Sequence, residues 1–226
     1  MKLILRNLMR IFRRFRTAMI LNILGLAVAF TAFMLLMMQW DYDRQFDRHD
    51  PNADRIFRID TQWDAGRVAL TSGPYGFAFM RSSPHIVGGC LLYALPGDES
   101  FTIEENGQRR VFKDKLHKVT NGLTKVFHFD LVEGDVNALE ASDKILIPES
   151  AARRWFGQAA ATGRLVKLGD NRAMTVGGVY RDFPGNSSLG NNIYIALREN
   201  MNESLINEWN STNFAFYIRL DQGDTA

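Results

Sequence analysis

The chain has 226 residues, with 27 Lys and Arg against 25 Asp and Glu and a formal net charge of +2. Six of the basic residues precede Asp41, the first acidic residue, so the part from Asp41 onward is mildly acidic, with 21 basic against 25 acidic residues. This distribution argues against a nucleic-acid-binding surface there. A single cysteine, Cys90, excludes an intrachain disulfide, and its apolar neighbours indicate a buried structural thiol.

The first 16 residues predict a cytoplasmic amphipathic helix that lies on the membrane surface. On a helical wheel, their apolar and basic side chains fall on opposite sides. Such a helix rests among lipid headgroups, and each basic residue contributes about 1 kcal/mol with anionic lipid. Membrane lipids are therefore an expected partner, and the alternative is a basic flank without a defined helix. The membrane-orienting residues are Lys2, Arg6, Arg10, Arg13, Arg14 and Arg16.

Residues 17–38 form an uncharged stretch of 22 residues, which as a helix would measure roughly 33 Å and cross a hydrocarbon core of about 30 Å. We predict a transmembrane helix over residues 17–39. Because the Lys and Arg excess precedes the span, the N-terminus is expected in the cytoplasm and residues 40–226 outside it. The alternative is a signal peptide cleaved after residues 27–29, but the apolar stretch continues to Met38 and favours an uncleaved anchor.

The first half of the outer part predicts short strands and one short helix. A strand over residues 54–61 can pair with residues 67–71, and a helix opens at Pro74 and runs to residue 81. A buried strand follows over residues 86–95. The clearest hairpin joins residues 101–104 and 109–112 through Asn106-Gly107, a pair that suits a tight turn.

The second half continues the same mixture. The pattern predicts a helical turn over residues 121–129 closed by residues 131–135, a strand over 144–147, and a helix from Pro148 that Gly157 stops. Further strands are predicted over 165–168, 173–180, 193–197 and 214–220, with a short helix around 203–209. Since strands and helices do not alternate regularly, the fold class is α+β rather than a doubly wound sheet.

Four blocks together resemble the N-terminal part of permease subunits of the MacB/FtsX-like ABC transporter family: residues 5–8, residues 22–27, residues 42–44 with 46 and 52–58, and residues 176–179 with 181–189. Two weaker blocks, residues 127–135 and 149–157, add to the match, and all six follow the order of the family. The residues of these motifs to which we assign structural roles are Asn22, Gly25, Tyr42, Asp43, Asn52, Asp54, Arg55, Asp182, Pro184 and Asn186.

The resemblance implies one transmembrane helix followed by a mixed α+β periplasmic core domain of two lobes, in the bacterial inner membrane. It also implies a dimer of permeases and a separate cytoplasmic ATPase whose dimerisation moves the outer domain. Because the chain ends at Ala226 without another span, we interpret it as a fragment or truncated product that lacks the surface gripping the ATPase. The resemblance implies no cofactor, and the cargo stays open among peptides, drugs and lipoproteins.

Catalytic and metal sites are not predicted. The series Asp41-x-Asp43-x-Gln45-x-Asp47 resembles the start of a calcium loop, but it lacks the glycine and the glutamate that complete one. The sequence contains neither a G-x-x-x-x-G-K-[ST] phosphate loop nor a G-x-S-x-G nucleophile turn. Asp182-Phe183-Pro184 predicts a strand end and a rigid turn, with Asn186, Ser187 and Ser188 bonding nearby backbone.

Two alternative functions remain open at this stage. A membrane-anchored periplasmic binding or sensor domain could work without an ATPase. An anchored hydrolase is less favoured, because no nucleophile with a partner base can be identified in the sequence.

Overall fold

The computed structural model describes residues 16–63, 66–105, 107–169, 172–197 and 206–223. The predicted surface helix, with Lys2, Arg6, Arg10, Arg13 and Arg14, lies outside these residues, as does most of the helix predicted around 203–209. The chain divides into two compact units, Met1–Phe46 and Asp47–Ala226.

Helix α1 (Arg16–Arg44) contains the whole predicted span and continues six residues beyond Met38. None of its residues is buried, and it is the one helix of the described chain long and apolar enough to cross a membrane. The Thr31 hydroxyl donates to the Ala27 carbonyl at 2.8 Å, so this polar group is satisfied within the helix. Asn22 and Gly25 are exposed on the same helix.

The end of α1 has the composition of a membrane–water boundary. The Arg44 guanidinium lies 5.1 Å from the centre of the Trp40 ring, within the range of a cation–π contact. Tyr42 packs edge-on against Phe46, and Asp43 accepts a hydrogen bond from the Gln39 amide at 2.8 Å. Aromatic and charged residues of this kind gather where an apolar helix meets water.

The unit from Asp47 onward contains twelve described strands and three short α-helices. Two 3-10 helices, Ala53–Arg55 and Val136–Glu140, add single turns. The helices are α2 (Gly73–Met80), α3 (Leu123–Val126) and α4 (Glu149–Phe156). The strands are β1 (Ile56–Ile59), β2 (Thr61–Trp63), β3 (Gly66–Val68), β4 (Ile86–Tyr93), β5 (Gly97–Glu105), β6 (Gln108–Val119), β7 (Leu131–Gly134), β8 (Lys144–Pro148), β9 (Leu165–Leu168), β10 (Arg172–Tyr180), β11 (Ile193–Ala196) and β12 (Phe214–Leu220).

Six of the strands close into a barrel. The order is β6, β11, β8, β10, β9, β5, and β5 pairs again with β6 over its whole length. The β6–β11 and β8–β10 pairs are parallel and the other four are antiparallel. Every barrel strand contributes apolar side chains to one buried cluster, which includes Phe101, Leu116, Ile145, Val166, Val176 and Ile195.

The sheet continues beyond the barrel through β4, β12 and β1. β4 joins β6 at Leu92 and Val119, β12 lies antiparallel to β4, and β1 lies antiparallel to β12. Helix α2 covers this part of the sheet through Phe77, Phe79 and Met80. The α+β class is therefore confirmed. The division of the outer domain into two lobes stays a prediction.

Local signals in the sequence explain where several elements start and stop. The Ser72 hydroxyl accepts the Tyr75 N–H at the start of α2, and Pro74 occupies the first turn, as predicted. Helix α4 ends at Gly157, whose φ of 66° favours glycine.

Three features differ from the sequence prediction. Residues 53–55 form a 3-10 turn, and the following strand β1 pairs with β12 rather than with residues 67–71, because β3 pairs with β2. β7 is a strand that pairs with β10 rather than a closing turn. For β1 and β7, backbone partners that are distant in sequence decide the conformation.

The Trp155 side chain fills the barrel core, so its removal should be costly. It is fully buried against Phe101 and Phe112, and its ring N–H donates to Asp114 at 2.9 Å. We expect Trp155→Ala to lower the free energy of unfolding by about 3–5 kcal/mol, from lost burial and a residual cavity. Trp155→Phe keeps an aromatic ring but loses the hydrogen bond to Asp114 and part of the ring volume, so it should cost less, about 1–2 kcal/mol. Urea unfolding of the detergent-solubilised chain, followed by circular dichroism, measures both; equal costs would contradict this account of the core.

Candidate functional site

Two segments that overlap blocks of the family resemblance meet in the structure. We call residues 47–58, which follow α1 in the chain, the docking segment, and residues 183–189 the acceptor loop. Asp47 makes the contact between them: its carboxylate accepts the Ser188 N–H at 2.6 Å and also the Ser188 hydroxyl. Its own N–H donates to the Asn186 carbonyl at 2.9 Å. Three hydrogen bonds thus fasten the start of the docking segment to the acceptor loop.

Asp50 makes a second, more deeply buried attachment. Its side chain is only 6% exposed, and its two carboxylate oxygens accept the N–H groups of Asn52 at 2.8 Å and His128 at 2.7 Å. The Asp50 carbonyl also accepts the Ala53 N–H, which starts the following 3-10 turn. A buried carboxylate is stabilised by such charge-assisted hydrogen bonds, so Asp50 holds the segment to the loop before β7.

The motif residues Asn52, Asp54 and Arg55 lie in that turn. The Asn52 side-chain oxygen accepts a hydrogen bond from the Arg55 guanidinium, which links the two residues directly. Asp54 is exposed in the first turn of the 3-10 helix, where its negative charge interacts favourably with the positive end of the helix. The structural roles of these residues in the family stay a prediction.

Hydrogen bonds and aromatic packing fix the Phe183 end of the acceptor loop. The Phe183 N–H donates to the Asn191 side-chain oxygen at 2.7 Å, and the Asn191 amide donates back to the Phe183 carbonyl at 3.1 Å. The Phe183 ring packs against Phe129 and Tyr180. Because β10 and β11 flank this loop in the chain, the loop is continuous with two barrel strands.

Asp182 has a role that the sequence did not reveal. Its carboxylate accepts the Ser150 N–H at 3.1 Å, in the first turn of α4. The residue at the start of that helix is Pro148, which offers no side-chain acceptor, so Asp182 supplies the missing cap from a distant part of the chain. Pro184 is exposed in the turn that follows.

A cavity of about 320 Å³ lies where the docking segment meets the acceptor loop. Phe127, Phe183 and Tyr217 supply its aromatic side chains, and the acidic and basic groups come mostly from the docking segment. The full lining is Asp47, His49, Asp50, Ala53, Ile56, Arg58, Asp60, Phe127, Phe183, Ser187, Ser188, Leu189 and Tyr217.

The charges around the cavity are partly paired. Arg58 Nε lies 2.9 Å from Asp60 Oδ1, and this hydrogen bond raises the pKa of the Arg58 guanidinium. Burial raises the pKa of the Tyr217 hydroxyl, which the nearby Arg58 charge partly offsets. Both shifts keep these two groups in their usual protonation states at neutral pH, so neither Arg58 nor Tyr217 is a ready general base.

One contact in the cavity invites comparison with a catalytic pair. The Ser187 hydroxyl lies 3.4 Å from His49 Nε2, but it also accepts the Leu189 N–H at 3.2 Å. An activated serine needs its base within about 2.6–3.2 Å and a third group that orients the base. The long, exposed contact fits a structural role in the loop.

Other titratable groups lie away from this region. Cys90 is fully buried, as predicted, and burial raises the pKa of its thiol, so it packs as a small apolar residue. Burial also lowers the pKa of His117, whose Nε2 lies 2.7 Å from the Tyr93 carbonyl. Within the described parts of the chain, no three His, Cys, Asp or Glu side chains are grouped to hold a metal ion.

The acidic series that resembled a calcium loop does not form a loop in its first half. Asp41 and Asp43 lie in α1, where the Gln45 and Gln39 amides donate to their carboxylates. The Asp47 carboxylate is directed to Ser188. These acids serve as helix-surface and docking groups.

The family follows from a comparison of the sequence with known families. Residues 19–226 match the family described as MacB-like periplasmic core domain. The chain belongs to this family. The match takes in most of α1 together with the whole outer unit, so helix and domain are recognised as one arrangement.

Solved structures share the fold. A domain of a Porphyromonas gingivalis protein assigned as a permease has a TM-score of 0.65 and 24% identity, covering 77% of this chain and 78% of that one. The periplasmic region of MacB from Actinobacillus actinomycetemcomitans has a TM-score of 0.50 and 15% identity, covering 74% of each chain. No curated protein sequence matches the chain.

The family match establishes the general class to which the protein belongs. The chain carries the MacB-like periplasmic domain of ABC-type transporter permeases, a transporter component rather than a classical enzyme. One apolar N-terminal helix before such a domain fits an inner-membrane protein with a periplasmic domain. Permeases of this kind work with ABC ATPase partners.

The sequence did not reveal the roles of Asp47, Asp50 and Ser188. Ser187 bonds nearby backbone as predicted, but Ser188 binds Asp47, which is 141 positions away. The turn signal at Asp50-Pro51-Asn52 was the one local hint of the docking segment.

Substitutions at Asp47 should separate the side-chain contribution from the backbone contribution. Asp47 has a φ of 57°, a conformation that costs an alanine about 1–2 kcal/mol and a glycine almost nothing. We expect Asp47→Ala to destabilise the domain by about 1 kcal/mol more than Asp47→Gly, although both lose the same hydrogen bonds. Urea unfolding of the chain in detergent measures the difference.

The matched control is the exposed ion pair between Arg181 and Asp130, whose nitrogen and oxygen lie 3.2 Å apart. Asp130→Ala also removes one carboxylate beside the same loop, yet it should cost less than about 1 kcal/mol. Equal stability of Asp47→Ala and Asp47→Gly would show that the backbone of Asp47 is not strained.

Proposed function

We propose that the chain is the first-helix and periplasmic part of a permease subunit of a MacB/FtsX-type ABC transporter. In this proposal a separate cytoplasmic ATPase drives movement of the outer domain during export or the handling of lipoproteins, peptides or drugs. The observation that carries it is the family match over residues 19–226, which joins the apolar helix and the outer domain.

Two further observations support a mechanical role. Residues 1–226 contain no phosphate-binding loop of the G-x-x-x-x-G-K-[ST] type, which agrees with the proposal that a separate ATPase binds the nucleotide. The docking segment, which follows the helix directly, is tied to the domain by the carboxylates of Asp47 and Asp50. We also propose that two permeases act as a dimer, as the resemblance implies.

An anchored binding or sensor domain is the second candidate function. The cavity beside the docking segment favours it, since about 320 Å³ is at the lower end of the volumes of small-molecule sites. The cavity has partly paired charges and lies beside the docking segment. These features agree equally well with a structural contact between two segments of the domain.

Nucleotide binding should distinguish the permease from the separate ATPase in the proposed transporter. The purified 226-residue chain should show no saturable binding of MgATP in calorimetry, since it lacks a phosphate-binding loop. The full-length permease, isolated from solubilised inner membranes, should bring an ABC ATPase with it and hydrolyse ATP. Isolation without any ATPase would favour the anchored sensor, and saturable MgATP binding by the chain alone would contradict the division of labour.

The basic flank should set the orientation of α1. A phosphatase fused after Ala226 should be active in the periplasm, because the Lys and Arg excess keeps the N-terminus in the cytoplasm. Replacing Arg6, Arg10, Arg13 and Arg14 together by glutamate should invert the span or abolish its insertion.

The single substitution Arg10→Glu is the control. It leaves five basic residues before the span, so phosphatase activity should stay near the parent level. Unchanged activity and membrane yield in the fourfold variant would refute the orienting role of these residues.

A further inference from the structure

We propose that Asp47 is a positioning residue that couples movement of the first helix to the barrel by forming and releasing its contact with Ser188. The proposal rests on the proposed function, since it says where ATP-driven movement would enter the outer domain. It is carried by the backbone of Asp47, by the attachment of the acceptor loop, and by the contrast between Asp47 and Asp50.

The backbone conformation of Asp47 is held by its contacts. Among the residues that the structure describes, Asp47 is the one non-glycine residue with a positive φ, at 57°. Aspartate tolerates this region better than most residues, but the conformation still persists only where its surroundings fix it. Within the docking segment, the Asp50 N–H donates to the Asp47 carbonyl at 3.0 Å. The other fixing groups are the Ser188 N–H and hydroxyl and the Asn186 carbonyl. Loss of the contacts with the acceptor loop would leave the conformation held only by the bond within the segment.

The acceptor loop can pass a displacement to the barrel. Phe183 and Leu189, at its two ends, are only 8% and 4% exposed. Asn191 holds Phe183 through two hydrogen bonds, and the Tyr194 hydroxyl, on β11, donates to the Gly190 carbonyl at 2.7 Å. A shift of the loop therefore acts on β10 and β11, which lie on either side of β8 in the barrel.

Asp47 and Asp50 differ in how easily their contacts can change. Asp50 is buried, and both of its carboxylate oxygens bind backbone N–H groups, so breaking these bonds would leave a charge without partners. Asp47 is half-buried and Ser188 is exposed, so water can replace their bonds at small cost. We assign Asp50 as the fixed attachment and the Asp47–Ser188 contact as the one that changes during the cycle.

The test uses the assembled transporter, the full-length permease purified with its ATPase and placed in lipid nanodiscs. Hydrogen–deuterium exchange of residues 183–192 is compared without nucleotide and with MgATP plus vanadate. In the parent protein, nucleotide should change the exchange rate of this segment by at least about fivefold, the lower end of typical coupling between sites. In Asp47→Ala and Asp47→Gly the change should fall below about twofold, while the ATPase rate without cargo stays measurable.

Two further variants separate coupling from folding. Asp47→Asn keeps an acceptor for the Ser188 N–H and tolerates positive φ, so it should restore most of the nucleotide response. Asp130→Asn removes a carboxylate beside the same loop but leaves the docking segment intact, so its response should equal that of the parent. Thermal unfolding of each variant shows whether the domain is folded, and Asp47→Gly replaces Asp47→Ala if alanine prevents folding.

The outcomes separate the two proposals. A full nucleotide response in Asp47→Ala and Asp47→Gly would overturn the role of Asp47 and leave the proposed function in place. A parent protein that hydrolyses ATP but shows no response in residues 183–192 would also overturn the role of Asp47. Isolation of the permease without any ATPase would overturn the proposed function itself.

Discussion

The domain depends on the pairing of β5 with strands on both of its sides. β5 lies antiparallel to β6 over nine residue pairs from Gly97 to Glu105, and it also meets β9 at Phe101 and Thr102. This closure removes the open edges from six strands and encloses a single apolar cluster. A closed barrel is stiff, because a change at one strand must be accommodated around the whole ring. The sheet extension through β4, β12 and β1 is then added to one side of a rigid body.

The stiffness of the barrel explains why the attachment of the docking segment matters. A helix that moves in a membrane can displace an outer domain as a whole only if the connecting segment is attached to a stiff part of it. The attachments of Asp47 and Asp50 lead to the acceptor loop and to the loop before β7, and both loops are continuous with strands that pair with β8 or β10. Hydrogen bonds to carboxylates suit this task, since they are directional and stronger than neutral ones.

Much of the fold was accessible from local patterns. The uncharged stretch gave α1, and the turn residues around Gly107 and Gly157 placed a hairpin and the end of α4 correctly. The strands predicted over 165–168 and 173–180 also form, as β9 and β10, and they pair with each other. The patterns failed where partners are remote: β7 owes its strand conformation to β10, and the 3-10 turn at residues 53–55 owes its position to Asp50 and its bond with His128. Closure of the barrel had no signal in the sequence.

The sequence by itself determined the apolar span, the charge asymmetry around it, the α+β class and the resemblance to a family. Each of these depends on composition or on spacing along the chain, which a sequence displays directly. Only the tertiary structure decided what the motif residues do. Asp182 caps α4, Asn52 binds Arg55, and Asp47 meets Ser188 across 141 positions. A carboxylate has no fixed partner until the fold brings a donor within about 3 Å of it, so its role is set by the fold and not by its neighbours in the chain.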